Sequence, residues 1–164
     1  MAAHPIRTFG DPVLRLETKP ISRIYEPVRA LARDMIETMY EAGGVGLAAN
    51  QIGITRRIAV FDARDDLGPR VMINPAVTEA SGEWELDEGC LSIPGFHWEI
   101  ERPAFVRVAA LDLDGAEVEY AGDELLGRVL QHEVDHLDGR LLIDRLPKRA
   151  RKRAMKEIRE QGGR

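Results

Sequence analysis

Hydrophobic positions in this chain change their spacing several times, and each change marks an element. In the stretch "PVRALARDMIETMYE", Val28, Leu31, Met35 and Met39 recur at helical spacing. That predicts a helix over 27–41, with Pro27 in its first turn and Gly43-Gly44 as its stop. The runs "RIAVFD" at 57–62 and "VMIN" at 71–74 have strand length, and Pro75 is expected to close the second. Two further runs, 105–113 and 117–120, flank Asp114-Gly115, the dipeptide of a tight hairpin, and predict two antiparallel strands. The helical period returns over 123–138, where Leu125, Val129, His132 and His136 share one face and Gly139 stands at the stop position. A last helix is expected over 148–160, exposed and strongly basic. One helix, then strands, then helices gives an α+β fold rather than a regular α/β alternation.

Composition adds bounds to this picture. With 164 residues, 44% of them hydrophobic and 31% charged, the chain has the make-up of a folded domain and not of a disordered segment. No apolar run approaches the ~20 residues of a membrane span, and the start lacks the basic head and apolar stretch of a secretory signal. Cys90 is the only cysteine, which excludes an internal disulfide and suits a reducing cytoplasm. The net charge of -5 is unevenly spread. Positions 145–164 hold nine Lys/Arg against Glu157 and Glu160, so an acidic body carries a basic tail, which suggests a polyanionic partner.

The chemistry is concentrated in three short stretches. In "QHEVDHLDG", His132 and His136 stand four apart, so on a helix both imidazoles reach one ion, while Glu133 is rotated by about 100° and is placed to act as a general base. A lone cysteine is more often a small buried hydrophobe than a ligand, but beside two such histidines Cys90 in "DEGCLSIPG" completes a three-ligand set with one open position. In "GGVGLAANQIG", Gly44 and Gly46 allow close approach to the backbone, and Gln51 offers an amide donor to a developing oxyanion. The loop lacks the lysine and hydroxyl residue of a phosphate-binding loop.

Together "GVGLAANQ", "EGCLS" and "QHEVDHLDG" resemble the three signature motifs of the peptide deformylases, complete and in order over 44–139. The first helix and the basic last one are similar to the compact bacterial form. The resemblance implies antiparallel or mixed sheets around a central metal-binding helix, with a single catalytic domain over 1–164 in which 147–164 is a basic helical tail. It implies removal of the formyl group from N-formylmethionine of new polypeptides, with release of formate. Cys90, His132 and His136 would be the ligands of one divalent ion, Fe²⁺ first, with Zn²⁺, Ni²⁺ or Co²⁺ as substitutes. Glu133 would be the acid/base, and Gln51 with the Leu91 N–H the oxyanion donors. Val45, Gly46, Leu86, Leu125 and Val129 are expected to take the methionine side chain. Arg102 would orient a ligand histidine by neutralising Glu88 or Asp135. His97 and Trp98 stand where many members of the family carry an arginine near the substrate backbone, and Arg128 where others carry an apolar lining residue. The expected partners are formylated nascent chains and, through the tail, the ribosome. A cytoplasmic monomer is expected.

Two other readings make different demands. A zinc endopeptidase built on the same two histidines takes its third ligand downstream of the helix, where only Asp144 and the charged tail stand. A metal-stapled ribosome-binding protein needs a closed site and gives Glu133 no task.

Overall fold

The structure is a computed structural model that describes residues 3–162. Seven strands and three helices follow in the order α1 (Glu26–Glu41), β1 (Gly46–Ala48), β2 (Ile58–Phe61), β3 (Arg70–Ser81), β4 (Trp84–Gly89), β5 (His97–Arg102), β6 (Phe105–Leu111), β7 (Glu117–Gly122), α2 (Glu124–Leu137) and α3 (Lys148–Gly162). The expected α+β class is what is found. Five strands form one antiparallel sheet in the order β1-β2-β3-β6-β7, and β4 and β5 form a separate two-stranded hairpin.

The large sheet is covered on both faces at β2. Its residues alternate in direction, yet all four are buried. Ile58 and Val60 meet Val28, Ala32, Met35 and Met39 of α1 on one side. Ala59 and Phe61 meet Val129, Leu130, Val134 and Leu137 of α2 on the other. The helix that carries His132 and His136 is thus pressed onto the sheet along one flank, which leaves its other flank free of the sheet. Gly127 permits this fit at its N-terminal end, because a Cβ there would lie 2.7 Å from the Gly122 carbonyl oxygen.

Three expectations need correction. The strand expected to end at Pro75 continues to Ser81. Asn74 takes a left-handed φ of 54°, and the register shifts between Ile73 and Ala76, so the proline sits in a bulge where its missing N–H costs no ladder bond. Next, the β4–β5 hairpin has no counterpart in the predicted strands. It leaves the large sheet after Ser81 and returns at Phe105, which are themselves Cα partners across β3 and β6. Finally, α3 is not wholly exposed. Ala154 and Ile158 are buried against Leu142, Ile143, Leu146 and Ile100, while Lys148, Arg149, Lys152, Arg153, Lys156 and Arg159 face outward. Of the tail expected at 147–164, positions 163 and 164 lie outside the described residues, as do 1 and 2.

Candidate active site

The helical spacing on α2 brings the Nε2 atoms of His132 and His136 to 3.1 Å from one another. Cys90 follows β4 and turns its Sγ to 3.3 Å from His136 Nε2. The three donor atoms lie within 4.8 Å of one another, one sulfur and two nitrogens, a set that suits one borderline-soft divalent ion. The orientation of His132 supports that fit. Its Nδ1 is 2.7 Å from Glu88 Oε1. Burial alone would raise the Glu88 carboxyl, but hydrogen bonds from His132 and Arg102 and the Arg102 charge hold it at about 2. Glu88 therefore accepts and Nδ1 donates, which turns Nε2 of His132 towards Cys90 and His136. Burial also opposes ionisation of the Cys90 thiol, yet the neighbouring His136 and His132 draw it well below its ordinary value, towards the thiolate that binds metal.

Behind Glu88 runs a buried chain of charges. Arg102, 2% exposed, donates to both Glu88 oxygens at 2.9 and 2.7 Å and to Asp135 Oδ2 at 2.9 Å. Asp135 in turn receives Arg145 at 2.6 and 2.9 Å. Arg102 thus neutralises both candidate acids at once. Arg145 belongs to the same chain and was not singled out from the sequence. Its place in a charged tail hid it, since nothing in the spacing marks which cation of a basic run turns inward.

Glu133 points to the other side of the ligand set. It is 3% exposed, its Oε1 has no hydrogen-bond partner among the described residues, and burial raises its carboxyl above the usual range despite the opposing pull of His132 and His136. The carboxylate is packed so tightly on β1 that a Cβ at Gly46 would lie 2.3 Å from Oε2. Gln51 is fixed at both ends of its amide. Its Oε1 accepts from the Ala48 N–H at 2.9 Å, and its Nε2 donates to Ser92 Oγ at 3.0 Å and lies 3.8 Å from Cys90 Sγ. Ser92, fully buried, is a second residue that the sequence reading passed over, although "EGCLS" contains it.

These groups open onto a cleft of about 510 Å³. Val45, Gly46, Gln51, Leu86, Cys90, Leu91, Leu125, Val129, His132 and Glu133 all line it, and His136 is buried behind them. Glu88 and Arg128 line it too. A ligand set with one open flank, a buried carboxyl and a fixed amide donor are the parts of a hydrolytic site that handles a carbonyl.

A family profile described as polypeptide deformylase matches residues 3–152. The peptide deformylase of Dictyoglomus thermophilum is 52% identical over 141 residues, 85% of this chain and 90% of that one. The peptide deformylase of Cellvibrio japonicus is 43% identical over 167 residues, 99% of each chain. Among solved structures, a peptide deformylase from Legionella pneumophila superposes with a TM-score of 0.90 at 39% identity, covering 98% of this chain and 95% of that one. The enzyme from Ehrlichia chaffeensis in complex with actinonin gives a TM-score of 0.91 at 35% identity over 98% of both chains.

Proposed function

The chain belongs to the peptide deformylase family, a family of metal-dependent hydrolases, and on that premise we propose that it removes the N-formyl group from the methionine of newly made polypeptides. In this reading residues 1–164 act as one catalytic domain. The convergence of Cys90 Sγ, His132 Nε2 and His136 Nε2 beside the buried Glu133 carboxyl is the observation that carries it.

Cys90, His132 and His136 would hold the ion, with Fe²⁺ as the proposed occupant and Zn²⁺, Ni²⁺ or Co²⁺ as substitutes. When bound, it supplies Lewis acidity that makes water nucleophilic near neutral pH. Glu133 would take a proton from the attacking water and later return it to the nitrogen of the leaving amine as its bond to the formyl carbon breaks. A raised carboxyl pKa suits both halves of this task, because the group must hold a proton between the two events. Gln51 Nε2 and the Leu91 N–H donate to the oxygen of the formyl group as charge builds on it. The Gln51 amide cannot turn away, since Ala48 and Ser92 hold its two ends. Val45, Gly46, Leu86, Leu125 and Val129 give the methionine side chain an apolar seat.

The outer cations of α3 favour a second element of the reading, association of a monomer with the ribosome near where its substrates emerge. Contacts with phosphate would make such binding steeply salt-dependent.

The central test is formate release from formyl-Met-Ala-Ser by metal-replete protein. Glu133→Ala should retain one ion per chain and lose at least ~100-fold in kcat. Cleavage of an unblocked peptide without formate release would favour the endopeptidase reading, and a metal-replete Glu133→Ala protein at the parental rate would remove the acid/base role.

A further inference from the structure

Arg128 has no task in this chemistry, yet it is buried. Its guanidinium belongs to a residue 4% exposed on α2, four residues before His132. A charge is held out of water only where specific bonds offset its desolvation. The bonds it makes run to the outer hairpin. Nη1 donates to the Ile100 carbonyl on β5 at 2.8 Å and reaches Glu88 Oε2 on β4 at 3.3 Å. Nη2 donates to the carbonyl of Trp84, the first residue of β4. The guanidinium also lies over the Trp84 ring, 5.6 Å from its centre. One side chain therefore ties both strands of the hairpin to the helix that carries the two histidines. It does so at a cost, since Nε is buried without an acceptor.

The hairpin has need of such a tie. Among the described residues, β4 and β5 pair only with each other, so no backbone ladder sets their distance from α2. Yet the cleft lies between the two. Leu86 of β4 stands on one wall, Leu125 and Val129 of α2 on the other, and Leu86 and Leu125 are 37% and 39% exposed at the mouth. Arg102 fastens the hairpin as well, but through Glu88 and Asp135, the carboxylates next to the ligand histidines. Arg128 sits between Leu125 and Val129 along the pocket-lining face.

We propose that Arg128 is a positioning and specificity-determining residue that sets the separation of these two walls, and with it the width of the seat for the first side chain of the substrate. The substrate half of this rests on the deformylase reading. Arg128→Met keeps an unbranched apolar stem, is shorter, and removes every donor. Arg128→Lys keeps the charge, but its single nitrogen cannot span Trp84, Ile100 and Glu88.

The test uses metal-replete full-length protein. Both variants should raise KM for formyl-Met-Ala-Ser about tenfold, with kcat changing by less than about threefold. The preference for formyl-Met over formyl-Phe peptides should fall by about tenfold, within the range a reshaped apolar pocket can give. Hydrogen exchange at amides of Trp84–Arg102 should quicken by about tenfold, while α1 and the five-stranded sheet keep their rates. Unchanged KM, selectivity and hairpin exchange in both variants would overturn the proposal. So would loss of metal and kcat at constant KM, which would assign Arg128 to the support of Glu88 and His132 instead. If Arg128→Met does not fold, the same outcomes are read from Arg128→Lys. If the parent protein releases no formate, the functional reading fails, and hairpin exchange alone decides whether Arg128 is the tie.

Discussion

Glu88 Oε1 and His132 Nδ1 are 2.7 Å apart, and the carboxylate is held ionised by Arg102 behind it. The pair fixes which nitrogen of His132 faces Cys90. Replacing Glu88 by Gln keeps the shape but removes the charge that holds Nδ1 as a donor, and it leaves Arg102 short of one counter-charge. Metal affinity should fall about 10–100-fold, the usual cost of losing an outer carboxylate partner of a ligand histidine. Competition titration against a chelator measures this, and an affinity equal to the parent's would show that His132 is oriented without Glu88.

Gly46 and Glu133 make a second contact with a sharp expectation. A methyl group at position 46 has its nearest neighbour in Glu133 Oε2, at 2.3 Å, so Gly46→Ala must displace the carboxylate. A shift of about 1 Å at a reacting group costs on the order of a hundredfold. We expect turnover of formyl-Met-Ala-Ser to fall by that order while ion content and thermal midpoint stay near the parent's. Full activity would mean that Glu133 has room elsewhere.

Cys90 is the only thiol, so its state is readable without labelling ambiguity. Its Sγ lines an open cleft and is drawn towards the thiolate by His136 and His132 against the effect of burial. Removing the ion should speed alkylation of Cys90 by at least roughly tenfold, as a coordinated sulfur becomes a free nucleophile. Mass spectrometry of the modified peptide checks it. Alkylation at one rate with and without the ion would take Cys90 out of the ligand set. Cys90→Ala should lose ion and activity together, whereas Cys90→Asp and Cys90→Ser should keep some ion with poor turnover.

The two faces of α3 separate stability from docking. Ending the chain at Leu146 removes the cover that Ala154 and Ile158 give to Ile143 and Leu146. Burying one such aliphatic side chain is worth ~1.5–3 kcal/mol, so the melting temperature should drop by at least about 3 °C. Reversing the charge at Lys152, Arg153, Lys156 and Arg159, all exposed, should leave melting and peptide turnover intact. Co-sedimentation of that variant with ribosomes should fall sharply, and that of the parent should weaken steeply as salt rises. Equal, salt-insensitive co-sedimentation of both would reject the docking role.

The sequence made the two long helices and the Asp114-Gly115 turn legible because their apolar positions follow one period and face one core. It also marked the ligand set, since i,i+4 spacing on a helix translates directly into a shared side. The β4–β5 hairpin was illegible for a physical reason. Its outward face carries Glu85, Asp87, Glu99 and Glu101, and on its inward face the apolar alternation of Trp84, Leu86, Trp98 and Ile100 is only two residues long in each strand before Glu88 or Arg102 breaks it. The charges crowd enough that Glu99 raises the carboxyl pKa of Glu85. Arg145 reads as a surface cation until its partner is known, Arg102 is expected at Glu88 or Asp135 but not bridging both, and no spacing gives Arg128 its partners on the hairpin. Burial of an ion pair leaves no periodic trace in the chain, because it depends on two residues far apart in sequence meeting at one point.

The hairpin's place between Ser81 and Phe105 has a consequence for how this fold can vary. Those two residues face one another across adjacent strands, so the segment between them departs from and returns to the same spot on the sheet. Such a segment behaves as a cassette. The framework strands do not set its length, and its ties to α2 run from Cys90 to His136, from Glu88 to His132, from Arg102 to Asp135, and from Trp84 and Ile100 to Arg128. Transplanting residues 82–104 between members of the family would carry one wall of the cleft with it and leave α2 and its histidines where they are.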